Sequence, residues 1–82
     1  MALFMDVHTR VEGATSRDVA DAHQRDLDVQ AAYGVTYRNY WFDESSGRIF
    51  CRGEAPDAET AARVHREAHG LVADEILPVV QG

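Results

Sequence analysis

Four histidines, one cysteine and fourteen carboxylates are the side chains of this 82-residue chain that could hold a metal ion or move a proton. His65 and His69 stand four positions apart in the run Val64-His65-Arg66-Glu67-Ala68-His69. On a helix that spacing sends both imidazoles out of the same side, close enough to chelate one ion. The same pair also arises on any helix whose last turn attracts cationic side chains to its negative end, with no ion involved. Glu67 lies at the wrong offset for either His-Glu-x-x-His or His-x-x-Glu-His and points to another face, so hydrolytic zinc chemistry gains no support.

Asp6-Val7-His8 puts a carboxylate and an imidazole two positions apart, on one face of a strand. That combination suits Ni, Zn or Co, the carboxylate either binding directly or orienting the ring; the plainer alternative is a polar strand end. His23 lies beside the apolar stripe of its helix, where Asp26, three positions on, could accept its proton or join it as a ligand. The lone Cys51 cannot form an internal disulfide and reads as a small buried hydrophobe or a thiolate ligand. The candidate metal ligands are therefore His65, His69, His8, His23 and Asp6. No serine sits in a Gly-x-Ser-x-Gly context, and neither a phosphate loop nor a dinucleotide fingerprint occurs. Binding chemistry is better represented than catalysis.

The elements that must position these residues follow from periodicity. Residues 3–11 alternate, with Leu3, Met5 and Val7 on one side and Phe4, Asp6 and His8 on the other, which predicts a strand. Thr15-Ser16-Arg17-Asp18 reads as a capping box opening a helix that runs to about residue 33 and stops at Gly34. Residues 35–42, rich in β-branched and aromatic types, predict a second strand, and the turn Asp43-Glu-Ser-Ser-Gly47 leads into a third over 48–52. Tyr33, Tyr37, Tyr40, Trp41 and Phe42 should divide between core and open sheet face rather than line a pocket. Asp57 is the expected N-cap of a second helix over 58–69, ended by Gly70, and Pro78 assigns the tail to a short strand at a sheet edge. The order β-α-β-β-α-β predicts an α+β fold, a ferredoxin-like sandwich in which two helices cover one face of an antiparallel sheet. A single domain over residues 1–82 is expected.

Composition narrows the partners. The formal charge of -6 and the scattered arginines argue against nucleic acid and favour cations. No apolar run approaches the ~18 residues that span a bilayer, and the N-terminal stretch lacks the basic start and apolar core of an export signal. A cytoplasmic location away from membranes is expected. A domain this small buries only about 60% of its unfolded surface, so the open sheet face predicts a homodimer.

Taken together, Asp6-Val7-His8, Ala22-His23-Gln24-Arg25-Asp26-Leu27, Tyr40-Trp41-Phe42-Asp43, Phe50-Cys51, Glu54-Ala55-Pro56-Asp57 and the run from Val64 to Leu71 carry a likeness that covers nearly the whole chain. The chain resembles a family of small bacterial ferredoxin-like proteins, long described as a domain of unknown function, that includes a nickel-binding protein. The resemblance implies a dimer, nickel sequestration or detoxification as the role, and no catalytic activity. It places His8, His23, His65 and His69 at matching positions, with Asp6 and Cys51 following. Ni(II) is the implied ion, although Cu(II) would bind the same donors more tightly and Zn(II) or Co(II) would compete. Open coordination positions on such an ion further predict metal-bridged association of dimers. Two other readings stay open: a small enzyme with a pocket between helices and sheet, by analogy of fold alone, and a metal-independent interaction module.

Overall fold

The computed structural model describes residues 2–11 and 13–82. Its elements are β1 (Ala2–His8), α1 (Ser16–Gln30), β2 (Thr36–Asp43), β3 (Arg48–Ala55), α2 (Ala58–Ala68) and β4 (Glu75–Pro78), with a short 3-10 turn at Ala31–Tyr33. The four strands form one antiparallel sheet in the order β2-β3-β1-β4. Both helices lie on one face, as the β-α-β-β-α-β order requires. No helix among the described residues is long and apolar enough to cross a membrane.

Local chemistry accounts for the boundaries. Thr15 caps α1 through the backbone N–H of Asp18, whose carboxylate accepts from the N–H of Thr15, and Asp57 caps α2 by accepting from Thr60 N at 2.7 Å. α1 stops three residues short of the expected end because the chain tightens into the 3-10 turn before the left-handed Gly34. β1 ends at His8 rather than residue 11, since the backbone N–H of Thr9 turns to the Asp74 carboxylate at 2.8 Å instead of continuing the ladder. β3 runs three residues beyond expectation, to Ala55, carried by its pairing with both β1 and β2. Pro78 sits in the edge strand, where its missing N–H disturbs no inner ladder.

The core lies between helices and sheet and is built from Phe4, Val19, Val35, Tyr37, Ile49, Cys51, Ala55, Ala61 and Val64. On β1 the inward set is Phe4, Asp6 and His8, so an acid and an imidazole are driven inside while Leu3, Met5 and Val7 take the open face, half-buried. A bulge between Tyr37 and Asn39 resets the alternation of β2. It lets Tyr37, Tyr40 and Phe42 all pack toward the core while Trp41 stays half exposed on the open face, opposite Phe50. Gly53 faces Tyr37 across this irregularity; a Cβ there would lie 2.8 Å from Tyr37 Cδ1.

Candidate metal centre

Five elements deliver the polar side chains of the interior. β1 contributes Asp6 and His8, and its register with β3 sets Cys51 opposite Asp6. α1 contributes His23 and Asp26. In α2, His65 lies on the buried stripe with Ala61 and Val64, and His69 follows as the C-cap residue before the left-handed Gly70. β2 supplies Tyr37 and Tyr40.

His65 is the hub. Its Nε2 is 2.7 Å from Asp6 Oδ2 and its Nδ1 is 2.8 Å from Asp26 Oδ1, with all three residues almost wholly buried. Asp26 Oδ1 is also 3.0 Å from His69 Nε2, and the Leu71 N–H donates to His69 Nδ1 at 3.1 Å. That second bond makes Nδ1 the acceptor and leaves Nε2 to carry a proton toward Asp26. The Tyr37 hydroxyl donates to Asp6, and its ring stacks on His65 with centroids 4.6 Å apart. His8 meets the His65 ring edge-on at 5.2 Å.

The electrostatics follow from this placement. Burial by itself would lower the His65 pKa, but the hydrogen bonds to Asp26 and Asp6 prevail and raise it to about 11, so the ring is an imidazolium clamped between carboxylates. Asp26 is likewise pushed up by burial, and the His65 and His69 hydrogen bonds overcome this and hold it below its ordinary value. His8 is pulled down to about 4, first by burial and then by the neighbouring His65 charge, and is therefore neutral at pH 7. Burial also lowers His23, against the attraction of Asp26. It raises the Cys51 thiol and, with the Asp6 charge, the Tyr37 hydroxyl.

Beside this network lies a cavity of about 20 Å³ lined by His8, His23, Asp26, Cys51, His65 and His69 among others. That is room for roughly one water-sized occupant. One ligand atom each from His8, Cys51 and His65 lie within 4.8 Å of one another, as do those of Asp26, His65 and His69. Two buried atoms in the region have no partner among the described residues, Asp6 Oδ1 and His23 Nδ1. Of the two, His23 belongs to the wall of the cavity, where an orphaned nitrogen beside an ion-sized space is what a cation would satisfy, and nitrogen, oxygen and sulfur donors fit a borderline transition metal.

The structure thus gathers His65, His69, His8 and Asp6 into one network, with His23 on the wall of the same cavity. His23 does not pair with Asp26; that carboxylate turns to α2, and the His23 ring instead packs on Tyr40 at 4.7 Å. Glu67 points away and accepts from the Tyr33 hydroxyl. Asp26 carries more of the site than its distance from the histidine pair suggested. Its sequence signal was its place on the stripe Val19-Ala22-Asp26, where a buried acid must find a partner. Tyr37 had no such signal, being one of several strand aromatics.

Fold and site define a class: a ferredoxin-like α+β protein with a buried imidazole, carboxylate and thiol centre. Residues 4–79 match the family described as nickel responsive protein SCO4226-like. The crystal structure of SCO4226 from Streptomyces coelicolor A3(2) is similar over 99% of each chain, with 44% sequence identity and a TM-score of 0.91. No curated protein matches significantly. The chain belongs to the SCO4226-like nickel responsive protein family.

Proposed function

We propose that this protein binds a divalent transition metal, nickel before others, and sequesters it in the cytoplasm as a homodimer rather than turning over a substrate. The observation that carries the reading is the convergence of imidazole, thiol and carboxylate donors from four elements on one buried cavity of about 20 Å³. A space that small suits an ion better than a metabolite. The nickel responsive family description supports nickel as the cargo, since donor chemistry alone would rank Cu(II) above it. Dimerisation is supported by the open sheet face, where Trp41 and Leu77 are 49% and 45% exposed and Trp41 pairs with Phe50.

The test is metal retention by untagged protein. Calorimetric titration with Ni(II), followed by desalting and elemental analysis, is expected to leave near-stoichiometric nickel on the chain. Protein that returns metal-free from desalting and shows no binding heat would overturn the reading.

A further inference from the structure

One side of the inner cavity is closed by irregular chain rather than by a helix or a strand. The sheet floors the cavity with His8, Ile49 and Cys51, α1 and α2 wall it, and Leu71 lines the side that remains. Among the described residues of this lining Leu71 alone is exposed, at 40%, and the others are buried or half-buried. Two surface depressions lie outside: an apolar one of about 170 Å³ bordered by Val11, Ala14 and Ile49, and a charged one of about 280 Å³ bordered by Asp18, Asp21 and Arg25. Leu71 borders both of these as well as the cavity, which sets its side chain at the boundary between inside and outside. Leu71, Val72 and Ala73 belong to no helix or strand, and the strap they form is held at its ends. At one end the N–H of the left-handed Gly70 donates to His65 O at 3.0 Å, and the N–H of Leu71 donates to His69 Nδ1 at 3.1 Å. At the other the N–H of Asp74 donates to Val7 O at 2.9 Å, and its carboxylate accepts from Thr9 N and Oγ1 at 2.8 and 2.9 Å. A short span with fixed ends, exposed apolar side chains and no ladder has the low local stability from which moving elements are drawn.

We propose that residues 70–73 form a gate over the inner cavity, with Leu71 as its plug and Gly70 as its hinge, and that an ion or small reagent reaches the interior when Leu71 swings out. Gly70 suits a hinge, because its φ of +81° lies where L side chains are strained, while a Cβ there would meet nothing within 4 Å; backbone freedom rather than packing accounts for the glycine. Opening gives up the buried part of one leucine and the bond from its N–H to His69, while the anchors at Gly70 and Asp74 hold. That bond ties the gate to the cavity wall, since the strap cannot lift at Leu71 without releasing His69 Nδ1. The gate governs access for any small solute. Its consequence for nickel, slow loading and slow loss of the ion, rests on the metal-binding reading above.

Cys51, buried on the cavity floor and the one cysteine of the chain, reports opening without any metal. The metal-free protein is treated with methyl methanethiolsulfonate, a small neutral reagent from which the Cys51 thiolate takes the methylthio group, forming an S–S bond as methanesulfinate leaves. Rates are measured at several urea concentrations below the unfolding transition. The wild-type rate should be slow and flat in urea, since a gate exposes little surface. Leu71→Ala should react about 5–10-fold faster, the factor for the lost packing of a half-buried leucine, with the same flat dependence. Val72→Ala, on the same strap and 41% exposed but off the cavity lining, should stay within about twofold of wild type. A Leu71→Ala rate equal to wild type, an equal gain in Val72→Ala, or a wild-type rate that climbs steeply with urea as global unfolding requires would each overturn the gate. Zn(II)-loaded protein mixed with excess EDTA reads the consequence for the cargo: release should quicken in Leu71→Ala by the same factor, and unchanged release would overturn the gate as the route of the ion. Protein that takes up no Zn(II) would remove the metal-binding reading, and the Cys51 rates would still decide the gate.

Discussion

Replacing His65 by alanine removes the cation that two buried carboxylates share. Asp6 and Asp26 are 0% and 2% exposed, so neither can recover its lost partner from bulk water. Breaking a buried ion pair by deleting one member costs about 3–5 kcal/mol. A folded chain of 82 residues holds roughly 4–12 kcal/mol in all. His65→Ala therefore takes a large share of the total and should lower the Tm by about 12–40 °C, at about 4–8 °C per kcal/mol. The pH dependence has a definite sign. The His65 pKa is raised from 6.5 to about 11, so its contribution is complete below pH 6.5 and declines as pH climbs toward 11. Asp26, with its pKa lowered from 3.8, contributes above that value and loses its contribution as pH falls through the depressed one. The His65 contribution is complete at pH 5 and has begun to decline at pH 7, so the deficit of the variant against wild type should be at least as large at pH 5 as at pH 7. Urea unfolding followed by circular dichroism at both pH values measures this. A deficit below about 1 kcal/mol at pH 7, the scale of an exposed pair, would refute the clamped imidazolium.

Tyr37→Phe keeps the ring stacked on His65 but removes the hydroxyl donor to Asp6, and should cost about 1–3 kcal/mol in the same assay; an unchanged midpoint would deny that bond. Gly53→Ala sets a Cβ 2.8 Å from Tyr37 Cδ1 and 3.1 Å from Thr36 O, so a loss of about 1–3 kcal/mol is expected, together with a change in the near-ultraviolet signal of the tyrosines. On the open face, Trp41→Glu puts charge where the dimer contact is proposed. Sedimentation equilibrium should then show monomers at concentrations where wild type is dimeric, and an unaltered dimer would remove this face from the interface.

The order of elements was legible in the sequence because it rests on local chemistry. The capping box at Thr15 and Asp18, the Asp57 cap, the stop at Gly34 and the alternation of β1 each act within a few residues, and each predicted element exists. So was the pairing of Asp6 with His8 on one strand face and of His65 with His69 on one helix side, since periods of 2.0 and 3.6 decide both. The chain's own residues also marked it as a member of its family.

What each imidazole does with its nitrogens was decided by the tertiary structure alone. Asp6 meets His65 across 59 positions and Asp26 meets it across 39, distances no local rule spans. The bulge in β2 turns Tyr37 inward alongside Tyr40, against strict alternation, and so delivers its hydroxyl to Asp6. Spacing alone made His65 and His69 the natural chelating pair. Packing them against two buried carboxylates saturated both rings with hydrogen bonds, because a buried charge must be partnered, and left His23 Nδ1 buried without a partner among the described residues.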